Sequence, residues 1–130
     1  MSAWVLDTSA ILAYLVQETG ADRIEGMIED GAAVSTMIVQ ETMSKLVQLG
    51  LPREIAEAAI ASVGLKVHDV TFALAIEAGA MFPLTRLFGL SHGDRACLAL
   101  GRTLDAPVVT ADKQWSRAAN EIGVRVEQFR

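Results

Sequence analysis

The sequence predicts an α/β protein: a three-layer α/β/α sandwich around a central parallel sheet. Three observations carry this. Short apolar runs such as Val108-Val109-Thr110 are β-branched and too brief for a helix, so they read as buried strands. The stretches between such runs show helical periodicity, as at Ala96, Leu100 and Leu104. Strands and helices alternate from one end to the other, as in parallel sheets covered on both faces. The 130 residues make a single domain, 1–130, long enough for one real core.

The elements follow in order. Trp4-Val5-Leu6 is a strand ending on Asp7, and Asp7-Thr8-Ser9 offers three caps for the helix AILAYLV. Ala21–Asp30 is an amphipathic helix stopped by Gly31, and Ala32–Ser35 is the second strand. A helix over Ile38–Leu49 ends at Gly50. Pro52 suits the first position of the next helix, REIAEAAIASV. Leu65–His68 is the third strand, followed by a helix through TFALAIEAGAMF and a loop from Pro83 to Gly89. Ser91 caps the helix through ACLALGRTL and places Asp94 in its first turn. Asp105-Ala106-Pro107 breaks that helix before the strand Val108–Thr110. Asp112 caps the helix KQWSRAAN, and a last strand lies near Val124–Val126.

Composition narrows the function classes. Hydrophobic residues make up 52% of the chain, enough to predict an apolar surface covered by a partner. No apolar run reaches the roughly 18 residues of a membrane span. The start, MSAWVLDTS, lacks the basic and apolar segments of a signal peptide. A lone cysteine, Cys97, excludes an internal disulfide and fits a reducing cytoplasm, and its apolar helical neighbours place it in the core. At a net charge of −5, the chain needs metal ions or local basic patches to meet a polyanion.

Four acids stand out, although each has an ordinary role. Asp7 and Asp112 read as helix caps, Asp94 as a first-turn acid answering the helix dipole, and Glu41 as a solvated partner of Lys45. Their joint placement says more. Asp7 and Asp112 directly follow short apolar strands, Glu41 belongs to the helix after strand two, and Asp94 starts the helix before strand four. In a parallel sheet all four lie at one edge, where ligands bind. Carboxylates so close cannot all stay ionised unless a cation joins them. Oxygen ligands without a His or Cys cluster suit Mg²⁺, with Mn²⁺ as a substitute, and such a site equips a phosphodiesterase.

The segments VLDTSA, VSTMIVQE, LSHGDRACLA and VVTAD resemble the PIN domain, in particular the VapC-type ribonuclease toxins of toxin–antitoxin pairs. The resemblance spans nearly the whole chain, with the four acids in the family's order. It implies a PIN-like fold with Asp7, Glu41, Asp94 and Asp112 as catalytic, metal-binding acids. Thr8, Ser9 and Thr110 fall at hydroxyl positions that orient water or carboxylates. It also implies magnesium-dependent cleavage of an RNA substrate, a cognate antitoxin protein and a homodimer. His92-Gly93 stands where many relatives carry apolar residues. Arg95 and Lys113 flank two of the acids and either hold phosphate or neutralise them.

Two other classes share such a sheet. An aspartyl-phosphate phosphatase places a second Asp two residues after the first, where this chain has Ser9. A receiver-like regulatory domain with an acidic Mg²⁺ pocket keeps its acids on strands one and three, where this chain has His68-Asp69.

Overall fold

The computed structural model describes residues 1–130. Five short parallel strands form one sheet in the order β3-β2-β1-β4-β5: β1 (Trp4–Leu6), β2 (Ala32–Ser35), β3 (Lys66–His68), β4 (Val108–Thr110) and β5 (Val126–Gln128). The sequence-predicted α/β class and its central parallel sheet are therefore observed. Between β1 and β2 lie α1 (Thr8–Leu15) and α2 (Ala21–Asp30), and between β2 and β3 lie α3 (Thr36–Gln48) and α4 (Arg53–Ser62). The return from β3 to β4 runs through α5 (Phe72–Ala80), α6 (Phe82–Thr85), a 3₁₀ turn (Arg86–Phe88) and α7 (His92–Leu104). Finally, α8 (Lys113–Ile122) joins β4 to β5.

Chain order reverses at β1, which pairs with β2 on one side and β4 on the other, with Val5 opposite both Ala33 and Val108. Right-handed crossovers carry the connections leaving β1 in one direction to one face and those returning through β4 to the other. The crevice beyond the carboxyl ends of β1 and β4 is thus the topological switch point, the default ligand site of an open α/β sheet. Strands as short as three residues suffice because both faces are covered: Val5, Leu6, Val34, Val108 and Val109 are fully buried. The helix α7 runs close over the sheet, and a Cβ at Gly101 would collide with the Val108 side chain.

Four expectations need correction. Pro83 to Gly89 is no loop but α6 and the 3₁₀ turn. Pro83 falls in the first turn of α6, where a missing N–H costs nothing, and Thr85 Oγ1 donates to the Met81 carbonyl at 3.0 Å. The helix expected through Phe82 accordingly stops at Ala80. The last strand begins two residues later than expected. Gly123 closes α8 in the left-handed region, and buried Val124 is spent packing into the core before Val126 pairs with Val108. Pro52 caps α4 rather than opening it.

Candidate metal centre

Asp7 is the last residue before α1 and its N-cap. Its Oδ1 accepts from the Ala10 N–H at 2.9 Å and from Ser9 Oγ at 2.7 Å, and its Oδ2 accepts from Thr110 Oγ1 at 2.6 Å. The two hydroxyls are themselves tied to the end of β4. Ser9 Oγ accepts from the Ala111 N–H and Thr110 Oγ1 from the Asp112 N–H, each at 3.0 Å. Asp7 is only 5% exposed. Burial, the largest effect, pushes its pKa up from 3.8 to about 6, a rise to which the charge of Asp94 adds. The bonds from Thr110, Ser9 and Ala10 act in the opposite direction without cancelling it.

Asp94 is the third residue of α7 and completes a capping box. The Ser91 N–H donates to its Oδ2 at 2.9 Å while its own N–H donates to Ser91 Oγ at 3.2 Å. Burial raises its pKa above the usual carboxylate range, as do the charges of Glu41 and Asp112, while the Ser91 bonds oppose the rise. Glu41 reaches this helix from α3. A Cβ at Gly93 would sit 2.7 Å from Glu41 Oε2, so the missing side chain is what lets the two helices bring Glu41 beside Asp94. Asp112 caps α8, its Oδ1 accepting from the Gln114 N–H at 2.9 Å.

Asp7, Glu41, Asp94 and Asp112 line one depression of about 360 Å³ at the switch point, together with Thr8 and Ser9. A larger, mainly apolar cleft of about 510 Å³ between α3, α4 and β3 contains Glu57 as its one acid. In the acidic depression no three carboxylates already converge as metal ligands. Mg²⁺ binding does not require three, since that ion keeps several of its waters and takes one or two carboxylates directly. The donor set fits as well. It is all oxygen, Asp94 Oδ1 and Asp112 Oδ2 carry no protein hydrogen bond, and buried Thr8 Oγ1 has no partner at all.

The profile of the PIN domain matches residues 4–121. The chain belongs to the PIN domain family. It is similar in fold to a chain of the DNA-bound VapBC complex from Salmonella typhimurium, with a TM-score of 0.78 at 18% identity over 100% of both chains. A chain of VapBC2 from Rickettsia felis, bound to a promoter DNA fragment, gives 0.73 at 15% identity over 96% of this chain and 97% of that one. A chain of VapBC-1 from nontypeable Haemophilus influenzae gives 0.63 at 14% identity over 97% of each. No curated protein matches the chain. The sheet order itself departs from the receiver alternative, in which β1 lies between β2 and β3.

Within this PIN domain the structure brings together the four acids, Thr8, Ser9 and Thr110, but not the two flanking cations. Arg95 is buried beneath the start of α7, where it donates to the Leu90 carbonyl and to His92 Nδ1, both at 2.9 Å, and lies over the Phe82 ring. Lys113 is turned to the chain end, donating to the Arg130 carbonyl at 2.6 Å. Neither lines the depression. The expected Glu41–Lys45 pair is also absent. Cys97 is fully buried beneath the acids; burial, then the charges of Asp7, Asp94 and Glu41, push its thiol pKa well up. His68 ends the edge strand, away from the site. Sequence reading missed Lys45, Glu18 and Arg130 as lining residues. Lys45 alone had a signal, standing one helical turn after Glu41.

Proposed function

We propose that this PIN domain is a Mg²⁺-dependent endoribonuclease, the toxin of a type II toxin–antitoxin pair. The observation that carries the reading is the meeting of Asp7, Glu41, Asp94 and Asp112 in one depression at the switch point. The family is generally one of nucleases, and the similar folds come from VapBC complexes. Asp7, Glu41, Asp94 and Asp112 would hold the ion, with Mn²⁺ substituting. When bound, it would lower the pKa of an attacking water and offset charge on the phosphoryl oxygens. Ser9 and Thr110 keep Asp7 fixed through short hydrogen bonds, so its carboxylate needs no reorganisation. Thr8 lines the depression, with its Oγ1 buried and unpartnered.

The histidine route is disfavoured. Cyclic-phosphate chemistry wants two imidazoles across one phosphate, whereas neither His68 nor His92 lines the depression and His92 Nδ1 is taken by Arg95. Large exposed apolar side chains, among them Val47, Phe72, Ile76 and Leu87, support both a cognate antitoxin and a homodimer. No helix is long and apolar enough to cross a membrane.

The test is a labelled RNA incubated with Mg²⁺, its ends mapped by phosphatase and ligase. The proposal expects 5′-phosphate and 3′-hydroxyl ends, with cleavage abolished in folded Asp94→Asn, Asp112→Asn and Glu41→Gln. Cyclic-phosphate ends, or full activity in these variants, would sink it.

A further inference from the structure

We propose that Lys45 holds the RNA phosphate next to the one that is cut, and that the strand crosses α3 through two depressions meeting at this lysine. The inference rests on the nuclease reading above and adds a strand path to it. Lys45 walls the acidic depression and also both neighbouring ones, of about 310 and 290 Å³. One of these is lined by Gln40, Ser44 and Gln48 beside Glu41, the other by Leu12, Val16, Gln48 and Leu49 beside Glu18.

The charges single Lys45 out. Five acids line the central depression, the four above and Glu18, in a chain already at −5, so a polyanion is repelled unless a cation meets it. Two basic residues line it. Arg130 is engaged: it donates to the Thr19 carbonyl at 3.3 Å, lies 4.0 Å from Glu18 and covers the Phe129 ring. Lys45 makes no ion pair and no side-chain hydrogen bond, so its ammonium is free for a phosphate. The flanking depressions suit a single strand. Gln40, Ser44 and Gln48 offer neutral donors, and the one acid of that depression, Glu41, is shared with the central one. On the other side Val16 and Leu49 are 44% and 62% exposed, giving apolar area for a base face.

The competing role for Lys45 is to complement the dipole at the last turn of α3. That role affects stability and leaves RNA affinity alone. The experiment titrates a fluorescent single-stranded RNA against the full chain, with Ca²⁺ replacing Mg²⁺ to prevent cleavage, over a range of salt. Lys45→Gln should bind about tenfold more weakly. Its log–log salt dependence should flatten by about 0.7, the share of one phosphate on a single strand. Lys45→Arg should restore both, and in cleavage assays the loss should fall on KM rather than kcat. Ser44→Glu, at an exposed position, should weaken binding by adding charge to the path. Equal affinity and salt slope in Lys45→Gln and the parent would overturn the role of Lys45, and an unaffected Ser44→Glu would overturn the path. A parent chain that binds no RNA would remove the nuclease reading and this inference together.

Discussion

Asp7→Asn should stabilise the metal-free protein at neutral pH, and the gain should disappear in acid. Asp7 keeps its proton up to about pH 6 when folded, against 3.8 ordinarily. Between those values the folded chain binds more protons than the unfolded one, so stability falls as pH rises through the window. The gap, at about 1.36 kcal/mol per pH unit, amounts to about 3 kcal/mol by pH 7. Asparagine mimics the protonated acid and remains a good N-cap, so it escapes that cost. Its amide carries one more N–H than a protonated carboxyl, and a buried donor without a partner takes back about 1 kcal/mol. What remains is about 2 kcal/mol at pH 7, roughly 8 °C in Tm for a chain of this size; at pH 4 the amide penalty outweighs the small charge cost left, and the variant is about 0.5 kcal/mol less stable than the parent.

Denaturant melts of both proteins in EDTA at pH 4 and pH 7 measure this directly. The double difference cancels every group not coupled to Asp7. A variant less stable than the parent at pH 7, or a difference that does not change with pH, would refute the idea that burial of the Asp7 charge dominates. With saturating Mn²⁺ the order should reverse, because the parent gains ligand-binding energy that the variant lacks.

Three further outcomes are expected. Millimolar Mn²⁺ or Mg²⁺ should raise the melting temperature of the parent and EDTA should reverse it; no shift in a folded sample would count against the four-acid site. Gly93→Ala should reduce cleavage with little change in melting temperature, since the added Cβ meets the movable end of Glu41 rather than backbone; a large drop in stability instead would show that the first turn of α7 cannot absorb it. Light scattering at micromolar concentration should give about twice the 13.9 kDa chain mass, and a strict monomer would remove the dimer while leaving the nuclease intact.

Much of the fold was legible because its local signals agree. Three strands are β-branched or apolar runs only three or four residues long, and they end on Asp7, Ser35 or shortly before Asp112, all of which cap a following helix. The region from Pro83 to Gly89 was not legible. Its helix is four residues long, and what holds it is the Thr85 bond back to Met81, a choice that a proline and a glycine in sequence argue against. Arg95 was misplaced for a related reason. Adjacency to Asp94 along the chain does not mean adjacency on a helix, where neighbouring residues point about 100° apart. Its side chain therefore goes under Leu90 while Asp94 faces the depression.

In the sequence, capping a helix and holding an ion look like rival explanations for Asp7, Asp94 and Asp112. The structure shows why they coincide. Each carboxylate sits at the N-terminus of its helix, with backbone N–H groups donating to it. Three positive helix ends therefore converge on one depression, and each offsets part of the repulsion among the acids. Asp94 and Asp112 cap with one oxygen and leave the other free, whereas Asp7 commits both and lies deepest. The parallel sheet with its switch point at β1 sets the helix ends side by side, and the caps then orient the carboxylates. Changing a cap here alters the fold and the chemistry through the same atoms, so stability in EDTA, ion binding and cleavage must be measured separately for each acid.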